Sequence, residues 1–157
     1  HEGEKVLERV GILLEGFNIL KVPVLVTEQY PRGLGQTLPQ VRELVETAGP
    51  IEKISFSCCG EENFRTRLAL LGKKYVVICG IEAHVCVLQT VIDLIELELR
   101  PVVVSDCISS RNPEDLKVAL ERMRSEGAVI TTSESILFEL TEVAGTDSFK
   151  QISRLVK

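Results

Sequence analysis

The sequence contains no tryptophan, and only two of its 157 residues are histidines, one of them the first residue. Its five cysteines are odd in number and form no Cys-x-x-Cys pair. Neither a disulfide framework nor a tetrahedral zinc site is therefore expected. We expect reduced thiols in a cytoplasmic protein that holds no metal and no other cofactor.

Long apolar runs and concentrated positive charge are also missing. No run approaches the roughly 20 residues that a membrane-spanning helix needs. The formal net charge is −5, and the basic residues are scattered, whereas nucleic-acid-binding proteins usually gather them on one face. We therefore expect neither a membrane nor a nucleic-acid partner. With 45% hydrophobic and 26% charged residues, the composition is that of a globular protein with one well-buried core.

Strand-like and helical segments alternate along the chain. Short apolar runs typical of buried strands lie at 24–26, 75–79, 101–105 and 128–131, with a weaker candidate at 53–57. Helical patterns lie at 4–20, 61–71, 84–99 and 113–127, with a weaker one at 41–46, whereas 31–35 resembles a loop. This alternation predicts one domain, a three-layer α/β/α sandwich with a mostly parallel, Rossmann-like sheet.

Several helix ends carry capping signals. Asn112, followed by a proline and two acidic residues, predicts a helix start. Gly72 and Gly127 predict helix ends in the left-handed conformation. Ser133 and Asp147 are candidate caps of two short C-terminal helices.

Chemistry in such sheets lies at the carboxyl ends of the strands. Residues 80–87 leave a buried strand, enter a helix and read Gly-Ile-Glu-Ala-His-Val-Cys-Val. Cys86 therefore falls near the first helical turn, where unpaired N–H groups stabilise a thiolate or an oxyanion. Position alone leaves two interpretations of Cys86 open, a nucleophile and an inert core thiol.

Residues 80–87 are similar to the nucleophile motif of the isochorismatase-like cysteine hydrolases. Further segments resemble one subgroup, the isochorismatase-domain proteins of unknown substrate: 22–31, 33–35, 52–53, 56–57, 109–111 and 127–132. The resemblance covers nearly the whole chain in order. It is therefore specific at the level of the family and silent on the substrate.

The resemblance implies a Cys, Lys and Asp triad in which Cys86 is the nucleophile and Lys53 the lysine. It also implies a cis peptide bond near Glu82, which would direct the N–H groups of Glu82 and Cys86 at one oxyanion. Nicotinamidases of this family carry an Asp-x-His zinc motif where this chain has Thr-Glu-Gln-Tyr at 27–30. A zinc-dependent nicotinamidase is therefore not expected.

The aspartate of the implied triad has no counterpart here. In the family it ends a first, central strand, and no such segment precedes the helix at 4–20. We expect about 20 additional N-terminal residues that form this strand and bring an aspartate to Cys86. Asp106 is an alternative base, although we interpret it as tying down the following loop. Arg111 either pairs with Asp106, the role that we favour, or meets an anionic substrate.

Three further residues, Glu28, Tyr30 and His84, are predicted to line a substrate pocket. Residues two apart on a helix point to opposite sides, so His84 is not expected to act as a base for Cys86. A hydrogen bond at the helix end is an alternative role for His84.

The predicted function is hydrolysis of an amide-type C–N bond, or a related bond, of a small molecule through a Cys86 thioester. Two alternatives stay open: a non-catalytic ligand-binding or scaffold protein, and a redox-sensing thiol protein. The helix at 84–99 carries a second apolar stripe formed by Val87, Val91 and Leu94. Because a monomer would expose this stripe, we expect a homodimer or larger homo-oligomer.

Overall fold

The computed structural model describes residues 3–45 and 49–157, in which helices and parallel strands alternate. The α-helices are α1 (Gly3–Leu20), α2 (Pro31–Leu34), α3 (Pro39–Arg42), α4 (Glu62–Leu71), α5 (Leu88–Glu96), α6 (Pro113–Glu126), α7 (Ser133–Thr141) and α8 (Asp147–Leu155). The strands are β1 (Thr27–Gln29), β2 (Ile51–Lys53), β3 (Tyr75–Ile81), β4 (Arg100–Ser109) and β5 (Val129–Thr131). Within these described ranges, no helix has the length and apolar character required to cross a membrane.

The strands form two parallel groups. β1 pairs with β2, so that Gln29 lies opposite Lys53. β4 lies between β3 and β5, with Val77 opposite Val102 and Val103 opposite Ile130. The predicted α/β class with a parallel sheet is confirmed.

Alternate side chains of β4 enter different apolar clusters. Val102 and Val104 pack into a cluster with residues of α1, α7 and α8. Val103, between them, packs into a cluster with residues of α5 and α6. The sheet therefore lies between two helical layers, the three-layer arrangement that the sequence predicts.

β1 and β3 lie in the same layer without being hydrogen-bonded to each other. Val24, just before β1, and Val77 of β3 pack against the cluster of α1, α7 and α8. Leu25 and Ile78 point the other way, into a third cluster formed mainly by α4 and α5. β1 and β3 each have one edge that pairs with no strand of the described chain.

Three segments differ from the sequence-based expectation. The first strand is Thr27–Gln29, so the predicted strand at 24–26 lies before it. The carbonyl of Val26 nevertheless accepts a hydrogen bond from the Ile51 amide at 2.8 Å. The second strand is Ile51–Lys53, so the residues after Lys53 form a loop. The fourth strand, β4, continues to Ser109, beyond a register shift in its pairing with β3. These differences arise because strand limits depend on a partner distant in sequence.

Two short helices also differ from expectation. Pro31–Leu34 is a helical turn where a loop was expected. The weak helix expected at 41–46 begins earlier, as Pro39–Arg42, and its last predicted residue lies outside the described ranges. A proline at the first helical position favours each of these starts.

Three of the predicted caps are confirmed and two are wrong by one residue. Asn112 accepts a hydrogen bond from the Glu114 amide at 3.0 Å, while Gly72 and Gly127 end their helices with φ values of 60° and 110°. The residues that cap α7 and α8 are the threonines before the predicted Ser133 and Asp147, namely Thr132 and Thr146.

The second apolar stripe of the α5 region is already buried in the monomer. Val87 is 5% exposed, and Val91 and Leu94 are fully buried. Val87 and Val91 pack against α6, whereas Leu94 packs against α4. The expectation that a monomer exposes this stripe is therefore wrong. The homo-oligomer stays a prediction, without this support.

Gly16 of α1 provides a test of the packing between α1 and α7. A Cβ at position 16 would overlap the methyl groups of Leu137, which is fully buried. We expect Gly16→Ala to lower the free energy of unfolding in urea by about 1–3 kcal/mol, because the buried Leu137 side chain would have to shift within a packed cluster.

The matched control is Gly11→Ala in the same helix, where a Cβ would lie 3.9 Å from Cδ1 of Leu44. This substitution should stabilise the protein by about 0.5–1 kcal/mol, because alanine favours the helix. Equal effects at both positions would contradict the packing described for α1 and α7.

Candidate active site

Cys86 lies just beyond the carboxyl end of β3, in a π-helical turn over Ala83–Val87 that leads into α5. The amide of Val87 donates to the carbonyl of Glu82, five residues earlier, at 3.2 Å. The peptide bond between Ile81 and Glu82 is cis, at the place that the resemblance implies. Cys86 is half-buried, and it lies at the edge of the sheet where ligands of parallel sheets bind.

Three other thiols are held in their protonated form by their surroundings. Desolvation raises the pKa of Cys59 to about 11, and the negative charge of Asp93 acts in the same direction. Desolvation also raises the pKa of Cys79 to about 11, and it raises the pKa of Cys107. These thiols are therefore poor nucleophiles at neutral pH.

Lys53, the last residue of β2, is only 4% exposed. Its Nζ donates to Oε1 of Gln29 at 2.5 Å, to the carbonyl of Ser55 at 3.0 Å and to the carbonyl of Phe56 at 2.7 Å. All three acceptors are uncharged, and no described carboxylate lies within salt-bridge distance of the ammonium. The three hydrogens of an ammonium are thus satisfied without neutralisation of its charge.

The loop after β2 is fixed on both sides of this ammonium. Nε2 of Gln29 donates to the carbonyl of Ile54 at 2.7 Å. Glu61 accepts from the hydroxyl of Ser55 at 2.9 Å and from the amide of Ile54 at 3.2 Å. These two bonds, with a smaller contribution from the charge of Lys53, lower the pKa of the Glu61 carboxyl.

One side chain connects this loop to the turn that carries the candidate nucleophile. The hydroxyl of Thr90 donates to the carbonyl of Cys86 at 2.7 Å and accepts from the amide of Cys58 at 3.0 Å. Cys58 is half-buried, and its Sγ lies 3.4 Å from Oγ1 of Thr27 in β1. Lys53, at the end of β2, and Cys86, just beyond the end of β3, are therefore connected through the loop after β2 and the hydroxyl of Thr90.

Glu28 and Tyr30 serve the loop that follows β1. Burial opposes ionisation of Glu28, but hydrogen bonds from the Thr37 amide at 2.7 Å and the Arg42 guanidinium at 3.4 Å leave its pKa lowered. The Tyr30 ring is half-exposed and lies over Gly33. The carboxylate of Glu28 is thus already engaged within the protein. That either residue lines a substrate pocket stays a prediction.

His84 points away from Cys86, toward the loop between β4 and α6. Its Nδ1 lies 2.9 Å from Oγ of Ser110 and 3.7 Å from Glu82, and its Nε2 lies 4.0 Å from Asp115. Glu82 in turn accepts from the Arg111 amide at 2.9 Å. This arrangement agrees with a hydrogen-bonding role at the helix end and brings no base to the thiol. In the described ranges, no group of three or more His, Cys, Asp or Glu side chains could hold a metal ion.

Asp106 lies within β4 and binds the first residue of α7. Its two carboxylate oxygens accept from the amide and the hydroxyl of Ser133 at 2.8 and 2.6 Å. Asp106 thus has a structural role, as we expected, but it holds the start of α7 and not the loop that follows it. The expected pairing of Asp106 with Arg111 is wrong, because Asp106 lies within the long strand β4 and its carboxylate binds Ser133 at the start of α7.

Sequence reasoning missed Gln29 and Thr90. Thr90 follows Cys86 by four residues, and this helical spacing places a hydroxyl beside the carbonyl of Cys86. That signal was available in the sequence. Gln29 meets Lys53 only through the register of β1 with β2, which pairs residues 24 positions apart. No local pattern reveals that contact.

The fold and the site define a class of protein: a parallel α/β sandwich with a cysteine at a helix start and a buried lysine in a loop that is hydrogen-bonded to that helix. A Caenorhabditis elegans protein described as MAR1 ribonuclease has this fold, with a TM-score of 0.91 and 38% identity over 99% of this chain and 80% of that one. The Escherichia coli YcaC gene product, described as an octameric hydrolase of unknown specificity, has a TM-score of 0.91 at 23% identity, covering 98% of this chain and 78% of that one.

The sequence comparisons identify the family. The isochorismatase domain matches residues 1–135. Isochorismatase family protein 1B of Dictyostelium discoideum is 43% identical over 144 residues, which are 89% of this chain and 70% of that protein. Isochorismatase domain-containing protein 2 of Macaca fascicularis is 41% identical over 147 residues, covering 92% and 69%. The chain belongs to the isochorismatase family, and this membership supports a hydrolase.

The cysteines provide a test of the site. Limited treatment with iodoacetamide near neutral pH, followed by peptide mass spectrometry, should label Cys86 before Cys59, Cys79 and Cys107, because desolvation disfavours the thiolates of the last three. Denatured protein, in which all five cysteines should react alike, is the control. Protection of Cys86 in the folded protein would argue against its assignment as nucleophile.

Proposed function

We propose that the protein is a cysteine hydrolase that cleaves an amide-type C–N bond, or a related bond, of a small molecule, with Cys86 as nucleophile. The observation that carries this proposal is the position of the half-buried Cys86 thiol, in a π turn at the carboxyl end of a parallel strand. The same segment carries the motif that resembles the nucleophile segment of the cysteine hydrolases. The resemblance and the position thus favour the same residue.

In the proposed reaction, the thiolate of Cys86 attacks the substrate carbonyl carbon. A C–S bond forms, and the carbonyl π electrons move to the oxygen, which the N–H groups of Glu82 and Cys86 stabilise. When the tetrahedral intermediate collapses, the C–N bond breaks and the amine leaves with a proton. Water then hydrolyses the thioester, which releases the acid and restores the thiol.

Lys53 contributes a positive charge in this proposal. Its ammonium is satisfied by the oxygens of Gln29, Ser55 and Phe56, none of which carries a negative charge. The charge is therefore available to stabilise the thiolate and the anionic intermediate, and its effect is larger at a partly buried site than in water. Glu28, Tyr30 and His84 are proposed to border the substrate.

The proposal also includes an aspartate that exchanges protons with the nucleophile and the leaving group. We place it at the carboxyl end of a further parallel strand that pairs with the free edges of β1 and β3. Two facts support such a strand: both edges lack a strand neighbour in the described chain, and the segments around them share the same two apolar clusters. Pairing would satisfy their backbone N–H and C=O groups.

The test compares the 157-residue chain with the product of the whole natural reading frame that encodes it, called here the extended chain. Both are assayed by amine release from a panel of small amides and N-carbamoyl compounds. We expect the extended chain to be more stable and at least roughly 100-fold more active, since general acid–base catalysis typically contributes that much. Cys86→Ala should abolish turnover, and Ser125→Ala, at an exposed position of α6, is the matched control.

Each contrary result has a defined meaning. Equal stability and activity of the two chains would contradict the additional strand and its aspartate. Turnover that survives Cys86→Ala would contradict the nucleophile. RNA is included as a substrate because the C. elegans structural neighbour is described as a ribonuclease. Cleavage of RNA without hydrolysis of any amide would contradict the proposed amide hydrolysis and assign RNA cleavage to the protein instead.

A further inference from the structure

We infer that Thr90 is a positioning residue, which fixes the turn of Cys86 relative to the loop that binds Lys53. This inference rests on the proposed role of Cys86 as nucleophile. Thr90 lies in α5, one helical turn after Cys86, and it is 4% exposed. Solvent therefore cannot easily replace the partners of its hydroxyl.

The Thr90 hydroxyl uses both of its hydrogen-bonding functions. It donates to the carbonyl of Cys86 at 2.7 Å and accepts from the amide of Cys58 at 3.0 Å. Cys86 and Cys58 are 28 residues apart in the chain, so this single oxygen joins two segments that are distant in sequence. The bond to Cys86 alone would be a common contact of helical threonines. The second bond distinguishes Thr90.

Cys58 begins a 3-10 turn, Cys58–Gly60, that follows directly on the loop after β2. The carbonyls of Ser55 and Phe56 in this loop bind the Lys53 ammonium. Because neither helix nor strand bonds fix residues 54–57, the loop depends on contacts at its ends and on side-chain bonds. The bond from the Cys58 amide to Thr90 anchors its far end to α5.

The consequence is a fixed geometry between nucleophile and cation. Loss of the Thr90 hydroxyl would leave the Cys86 carbonyl and the Cys58 amide without this partner. The loop and the turn could then shift independently, and a displacement of about 1 Å at a reacting group can cost roughly 100-fold in rate. Loss of the hydroxyl should slow the chemical step and not weaken substrate binding, because Thr90 is buried and is not available to contact a substrate.

The variant that tests this is Thr90→Val, which keeps the shape of the side chain and removes both bonds. We expect the rate constant for alkylation of Cys86 by iodoacetamide at pH 7 to fall roughly 10- to 100-fold. On an amide substrate, kcat should fall by a similar factor and KM should change much less. Thr90→Ser keeps the hydroxyl and should restore both rates.

The matched control is Thr141→Val. Thr141 makes the same type of bond, from its hydroxyl to the carbonyl of Leu137 four residues earlier, at the same 2.7 Å, but in α7. Its substitution removes one bond where Thr90→Val removes two, so it should lower the thermal midpoint less, and it should leave both Cys86 rates unchanged.

Two results would overturn the role of Thr90. One is a Thr90→Val protein with the same alkylation rate as Thr141→Val. The other is an equal loss in Thr90→Ser, which keeps the hydroxyl; such a loss would assign the effect to the packing of this side chain and not to its hydrogen bonds, and it can be measured even if Thr90→Val does not fold. Alkylation needs no substrate, so the experiment separates the two proposals. Suppose that Cys86 is alkylated more slowly in Thr90→Val, but the extended chain without substitutions hydrolyses no amide. The proposed hydrolase function is then contradicted, and the positioning role of Thr90 stands.

Discussion

A buried ammonium must find acceptors within the protein, and the requirement of Lys53 for three of them organises one edge of the sheet. Moving a cation out of water costs several kcal/mol unless hydrogen bonds replace its hydration. Here the replacement comes from Gln29 on the neighbouring strand and from the carbonyls of Ser55 and Phe56. The register of β1 with β2 brings Gln29 to this group, and the following loop folds back to supply the other two acceptors.

The same arrangement connects the lysine with the thiol. The loop that supplies two of the acceptors ends at Cys58, whose amide binds Thr90, and Thr90 binds the carbonyl of Cys86. Meanwhile desolvation raises the pKa of Cys59 to about 11, although that residue adjoins Cys58. Cys86 is half-buried at the sheet edge, and the adjoining loop binds the Lys53 ammonium through uncharged acceptors. On this basis we propose Cys86 as the nucleophile.

Local patterns predicted those features that depend on neighbouring residues. The helix at Gly3–Leu20 and the cap at Asn112 follow from spacing and from capping chemistry within a few residues. The limits of β1 and β2 could not be predicted, because each strand exists only where the other pairs with it. The acceptors of Lys53 depend on the same pairing. Ser133 was assigned to a cap, yet its hydroxyl binds Asp106 on a strand 27 residues away.

The central claim is that the charge of Lys53 acts on the Cys86 thiol. Its most direct test is the second-order rate constant for alkylation of Cys86 at pH 7 in Lys53→Met, which keeps a long unbranched side chain but removes the ammonium. The control is Lys73→Met, at an exposed position between α4 and β3. In protein shown to be folded by its thermal transition, the account predicts a decrease of roughly tenfold or more for Lys53→Met and no change for the control. Equal rates in the two variants would contradict it.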